Sequence, residues 1–232
     1  MMMDIFSSFD PFINSPYQTY PIMFWAFIIT SLMLSQSSFW INPSKSFWIY
    51  SMILDIMNTQ SKRTQSHHLK GMTSILSSLF ILIILVNFIG LLPYAFSYSS
   101  HLIFTLPLGM TMWFALIISG AIHAPKAFTA GLLPGGAPDW LNPFLVLVET
   151  ISIMARPITL SFRLAANMTA GHIILGLVGI YSSSAMLTGS SSMIFLLMVQ
   201  TGYVLFEVGI CLIQAYIFCL LLSLYADEHP SN

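Results

Sequence analysis

Charge is what this chain lacks most. Only 6% of its 232 residues are charged, against 56% that are hydrophobic. Soluble domains run near a quarter charged, so this chain cannot cover itself with a solvated surface. A bilayer is the remaining solvent. Segments of about 20 mainly apolar residues suffice to cross one, and the length leaves room for roughly four to six. Seven basic and eight acidic residues give a net charge of −1, which leaves no basic footprint for a nucleic-acid partner. Cysteine is scarce as well. Cys211 and Cys219 lie eight apart in one apolar segment, forming neither a C-x-x-C motif nor an evident disulfide pair. Both read as packing groups. No basic residue precedes Asp4 and Asp10 or follows them before Tyr20, and no small-residue cleavage site is visible, so a cleavable leader is not expected.

What is abundant fits the same solvent. Phe, Trp and Tyr make up 14% of the chain, as suits anchoring at membrane interfaces. Hydropathy predicts a first span over about Pro21–Trp40. Asn42–Lys70 then holds Lys45, Lys62, Arg63 and Lys70, four of the seven basic residues. The positive-inside rule puts that connection in the cytoplasm or its mitochondrial equivalent, the matrix. Within it, Phe47–Met57 mixes Trp48, Ile49, Ile53 and Ile56 with flanking charge, the pattern of a helix lying on the membrane surface. A second span is expected over Met72–Leu92, ended by Pro93, and a third over Leu102–Ile122. The short Tyr94–His101 segment between them is the external turn, which leaves the N-terminus outside. After Ile122, Pro125, Pro134, Gly135, Gly136 and Pro138 predict a loop.

The remainder is too long for ordinary spans. Trp140–Tyr181 would measure some 60 Å as a helix and Met193–Ala226 roughly 50 Å. The hydrocarbon core is only about 30 Å thick. A Ser-rich turn, Ser182–Ser192, separates them. Either the two helices lie strongly tilted as a hairpin or each breaks, with Pro157 the candidate break. The tilted hairpin is the preferred reading. The expected fold is an all-α membrane protein of about five membrane helices plus one surface helix, in a single membrane domain. Its parts are 1–71, the two-span hairpin 72–138 and the long hairpin 139–232.

Polar residues inlaid in that long hairpin carry the functional signal. Glu149, Arg156, Arg163, Asn167, His172, Glu207 and Gln214 all lie in it. An ionisable group inside a membrane costs at least about 2–3 kcal/mol on insertion scales and is a functional candidate by default. Glu149, Arg156 and Arg163 are spaced by sevens, as are Glu207 and Gln214, so each set lines one helix face. His172, nine residues past Arg163, is turned about half a revolution away and sits ~13 Å along the axis. A guanidinium does not deprotonate in a protein, so Arg163 is a fixed cation rather than a proton carrier. His172, Glu207 and Glu149 can titrate once burial and neighbours tune them. Titratable groups flanking a permanent cation describe a proton path with an electrostatic barrier in its middle. Arg156 reads as structural, His67 and His68 as solvated, and His123 as a helix-end group.

At these positions the chain resembles a known family. Ser161-Phe162-Arg163-Leu164-Ala165-Ala166-Asn167-Met168, followed by Ala170-Gly171-His172, is similar to the signature of subunit a of F-type ATP synthase. So are Gln214-Ala215-Tyr216-Ile217-Phe218, the ending Ala226-Asp227-Glu228-His229, and Asn87 with Gly90-Leu91-Leu92-Pro93. The resemblance runs from about Met72 onward, with the first seventy residues fitting in layout only. Bacterial members typically carry Glu where His172 stands and His where Glu207 stands; the exchange seen here resembles mitochondrial members. The resemblance implies a multi-pass subunit of the mitochondrial inner membrane, with no cofactor, packed beside a rotating ring of c subunits and touching peripheral-stalk and other membrane subunits. Protons would enter from outside past His172 and Glu207, ride the ring, and leave past Glu149. Arg163 would hold each deprotonated ring carboxylate and block a direct leak, with Asn167 and Gln214 as polar neighbours. ATP itself would be made by other subunits.

A proton-coupled secondary transporter is the alternative. It needs paired repeats with broken helices near the midplane, and the two halves of this chain share no internal similarity. Haem needs facing axial histidines, and an intramembrane hydrolase needs a nucleophile with a base or an H-E-x-x-H pair; neither pattern occurs.

Overall fold

The computed structural model describes residue 9 and residues 45–64, 69–92, 96–133, 139–188 and 192–227. The expected first span, Pro21–Trp40, and the histidines at 67 and 68 lie outside the described residues. Within them, regular structure is entirely helical: α1 (Lys45–Ser61), α2 (Met72–Leu91), α3 (Leu102–His123), α4 (Pro125–Gly131), α5 (Asn142–Thr188) and α6 (Ser192–Asp227). Short 3-10 turns occupy Tyr98–Ser100 and Asp139–Leu141. Four helices, α2, α3, α5 and α6, are long and apolar enough to cross a membrane. The chain is an all-α integral membrane protein.

The long hairpin exists, and neither arm breaks. Its arms have 47 and 36 residues, about 70 Å and 54 Å of helix. Three contacts fix an antiparallel register. Ser182 Oγ lies 3.4 Å from Gln200 Oε1, Asn167 Nδ2 donates to Gln214 Oε1 at 2.8 Å, and the Arg156 guanidinium lies 5.2 Å from the Tyr225 ring centre. Between these contacts the pairing advances by 15 and then 11 residues on α5, and by 14 and then 11 on α6. A kinked arm would lose that match.

Three local expectations need correction. Pro157 does not interrupt α5. It is buried, and one turn on Ser161 Oγ donates to its carbonyl at 2.8 Å. Gly109 of α3 lies against this spot, where a Cβ would stand 3.3 Å from the Pro157 carbonyl oxygen and clash with Ser161 Oγ. Packing from α3 therefore holds the proline-bearing turn in place, as small residues allow in membranes. Second, Ser182, Ser183 and Ser184 are not in a turn. They continue α5 and donate to the carbonyls of Gly179, Ile180 and Tyr181 at 2.8–2.9 Å, which satisfies their hydroxyls inside the helix. The connection is accordingly shorter than expected. Third, Pro125 does not open a loop but starts α4 at a helix N-terminus, where its missing N–H costs nothing.

The core sits where α2, α5 and α6 meet. Leu76 and Ile83 of α2, Leu160 and Leu164 of α5, and Phe218 and Leu222 of α6 are each at most 2% exposed. Helix α1 is longer than the expected Phe47–Met57 stretch and packs its Met57 into this core. Gln60 Nε2 of α1 also donates to the Tyr216 hydroxyl of α6 at 2.8 Å. Cys211 and Cys219 are free and buried, close to Met168 Sδ and the Leu76 carbonyl at 3.6 and 3.7 Å. They pack, as expected.

Candidate functional site: a polar ladder along the α5–α6 hairpin

The seven polar residues of the hairpin do not form one cluster. They are distributed along it in an order set by the helix register. Near one end, Glu207 of α6 is 2% exposed, with neither carboxylate oxygen hydrogen-bonded among the described residues. Its place is made by Gly171 of α5: any Cβ there would overlap the Glu207 carboxylate. The next residue is His172, whose ring faces the Gly90 backbone of α2 and meets Phe9 edge-on at 6.2 Å. His172 Nε2 is buried without a partner among the described residues. The acid and the imidazole expected to work together are thus brought to one level of the hairpin. Buried polar atoms without partners cost about 1–3 kcal/mol each, so this level needs water or a transferable proton beside it.

About one turn along α5 lies the amide pair, Asn167 with Gln214. Gln214 is buried, and its Nε2 makes no bond among the described residues, so one donor remains for a third group. One further turn brings Arg163, which is exposed. Among the described residues no carboxylate pairs with it, whereas Arg156 pairs with Glu149 at 3.6 Å. Around Arg163, Ala155, Thr159, Ala166 and Ala170 are also exposed, beside the larger Ile158 and Phe162. Small side chains at those spacings leave a shallow strip along which another helix can approach closely. The cation sits in that strip.

The far end of the ladder is open. Glu149 and Arg156 border a cavity of about 280 Å³ between α3, α4, α5 and α6, whose walls include Trp113, Phe128 and Tyr225. Arg156 is held by Glu149 and by the Tyr225 ring. Equal spacing of Glu149, Arg156 and Arg163 gave no hint that only the first two would pair with each other.

A second set of buried polar groups was not anticipated from the sequence. Asn87 of α2, Ser99 and Thr105 are each at most 1% exposed, and their side-chain polar atoms lack partners among the described residues. Asn87 had drawn notice only through the resemblance, and 94–101 only as a turn. The available signal was the run Ser97, Ser99, Ser100, His101 between two apolar spans. The 3-10 turn at Tyr98–Ser100 packs against α2, α3 and α5, which carries these groups inward.

Comparison with known proteins places the chain. The family described as ATP synthase A chain matches residues 19–227. ATP synthase subunit a of Albinaria caerulea is 40% identical over 230 residues, covering 99% of this chain and 100% of that protein. The subunits a of Locusta migratoria and Artemia franciscana are each 37% identical, covering 98% of this chain and 99% and 100% of those proteins. With a fixed cation, an amide pair and a buried acid–imidazole level on one unbroken hairpin, and with full-length similarity to these relatives, the chain belongs to the ATP synthase A chain family.

Proposed function

We infer that this chain is the proton-translocating stator subunit of an F-type ATP synthase, a multi-pass protein of the mitochondrial inner membrane that loads and unloads protons on a rotating c-subunit ring. The order of polar groups along α5–α6 carries this reading. Titratable Glu207 and His172 come first, the Asn167–Gln214 pair next, exposed Arg163 after it, and Glu149 beside a cavity at the far end. The ring docks along the small-residue strip that holds Arg163. A proton from outside passes Glu207 and His172 to a ring carboxylate, and after almost a full turn of the ring one is released past Glu149. Each crossing supplies about 2.3 kcal/mol per 100 mV of membrane potential. ATP is made by other subunits. The unbroken arms, far longer than about 30 Å of hydrocarbon, lie strongly tilted, with the N-terminus outside and the basic 45–70 connection inside. Peripheral-stalk and other membrane subunits cover further faces.

Two variants of the intact complex in vesicles test the reading. Gly171→Ala is expected to displace the Glu207 carboxylate and to slow ATP-driven proton pumping about ten- to a hundredfold, since small misplacements of a reacting group cost that much. Pumping at the wild-type rate with the ring still attached would remove Glu207 from the path. Glu149→Gln takes a titratable group from a cavity that water can enter, so a smaller loss is expected, about three- to tenfold in the ATP synthesis rate. An unchanged rate would mean that protons leave elsewhere.

A further inference from the structure

We propose that His101 is a further proton-relay residue, the outermost titratable group on the path that leads to His172 and Glu207. The proposal rests on the proton path inferred above and adds a residue to its outer mouth.

His101 occupies the N-cap position of α3, yet its side chain makes no capping hydrogen bond. The His101 carbonyl accepts from the Phe104 and Thr105 N–H groups at 3.1 and 3.4 Å, so only the backbone of His101 takes part in the helix start. The imidazole is therefore free of the usual structural duty of a residue at this position. It stacks on Phe96, with ring centres 5.1 Å apart and planes at 18°, which fixes the ring and leaves its nitrogen-bearing edge available. Nε2 is buried and has no partner among the described residues. Burying a polar nitrogen unpaired is costly, so Nε2 is expected to meet water within the protein.

From His101 a line of packed residues, with buried hydroxyls among them, runs inward. Ser100 adjoins it in sequence, and Ser100 Oγ lies 2.9 Å from Ser97 Oγ. Ser97 in turn packs on Gly90, where a Cβ would stand 3.5 Å from the serine Cβ. The Gly90 backbone faces the His172 ring, and Gly171, the neighbour of His172, houses the Glu207 carboxylate. Ser99 and Thr105, buried and without side-chain partners among the described residues, flank the same route. Hydroxyls can accept and donate in turn, so a hydroxyl-lined, hydrated route can pass a proton, whereas it cannot collect one near neutral pH. Imidazole can. In each cycle His101 accepts one proton at one ring nitrogen from outer water and gives one up at the other toward Ser100 and Ser97, which restores its charge, and exchange of the ring proton through water restores the starting tautomer.

Few groups compete with this assignment. Helix α2 carries no ionisable side chain, and α3 carries only His101 at its start and His123 at its opposite end. Among the described residues, the titratable groups near the route are Tyr98 on the same turn, His172 on α5 and Glu207 on α6, with Tyr203 and Cys211 of α6 beside Glu207. A phenol ionises near pH 10 and does not collect protons at neutral pH.

The test is the rate of ATP synthesis by the intact complex in vesicles, with inner pH fixed and outer pH varied. His101→Leu removes both polarity and titration; His101→Gln keeps polarity alone. Both variants are expected to run at least about fivefold below wild type at high outer pH, where proton capture limits, and to converge on it at low outer pH. Wild-type rates for both variants at every outer pH, or full rescue by glutamine, would overturn the proposal and make His101 part of the polar lining. If the leucine variant does not assemble, the glutamine variant decides by the same profile. Glu207→Gln and Arg163→Ala are measured beside them. Loss in those two with silent His101 variants overturns this inference alone, whereas silence in those two overturns the proton path itself.

Discussion

Arg163→Ala is expected to turn the assembled complex into a passive proton leak and to abolish ATP synthesis. Arg163 is exposed, flanked by small side chains, and unpaired among the described residues. Glu149, the acidic residue sharing its heptad face, is committed to Arg156. A guanidinium stays charged, and a permanent cation in an apolar setting requires an anion, so on the proposed function the partner is a carboxylate of the neighbouring ring. The same charge repels a proton that would cross directly from one side of the path to the other. At an effective dielectric of about 20, a second positive charge about 4 Å away costs about 4 kcal/mol, a factor of nearly a thousand in occupancy. Removing it opens the shortcut. Lysine preserves a charge but offers no planar fork of donors and can lose its proton when buried, so Arg163→Lys is expected to lower coupled synthesis more than about tenfold. Proton permeability of vesicles holding the assembled complex measures the leak directly. An alanine variant that stays proton-tight, or still makes ATP near the normal rate, would show that Arg163 is structural.

Exchanging His172 and Glu207 is expected to restore more activity than the single substitutions predict together. The two residues stand at one level of the hairpin, since the Glu207 carboxylate fills the space left by Gly171, the neighbour of His172. Glu207→Gln alone keeps the shape and removes the titratable group, so ATP-driven pumping should fall about a hundredfold while the complex stays intact. The exchange returns one acid and one imidazole to the same level. Groups in contact depart from additivity by about 0.5–3 kcal/mol, which is roughly twofold to more than a hundredfold in rate. Pumping rates for the two single variants and the exchange form the measurement. Strict additivity would mean that His172 and Glu207 act on separate steps.

Much of this protein was legible before any coordinates. The spans Met72–Leu91 and Leu102–His123, the over-long final hairpin and the set of inlaid polar residues all follow from hydropathy. Insertion into a bilayer is decided segment by segment, so a local sum over about 20 residues carries most of the information. Residue type also supplied the expected chemistry: a group that cannot deprotonate is a candidate barrier, and one that can is a candidate carrier. Ser182–Ser184 and Pro125 were misread for the complementary reason. Serine and proline are turn formers in water, whereas hydroxyls bonded to their own helix, and a proline at a first helical position, are compatible with continued helix.

Pairing across helices was beyond the sequence. Heptad spacing put Glu149, Arg156 and Arg163 on one face, but only the fold decided that the first two pair and the third stays exposed. Nothing in the chain's local pattern told that Gly171 would house Glu207, that Asn167 would meet Gln214, or that the serines before His101 would be buried. Each depends on the axial register and rotation of one helix against another. That register is set by the interlocking of Leu160, Leu164, Phe218 and Leu222 with α2, a sum of many small contacts between residues distant in sequence. Hydropathy along the chain determines which segments enter the membrane and which chemistry they carry there; side-chain packing between them determines which polar groups meet, because meeting is a property of two helices at once.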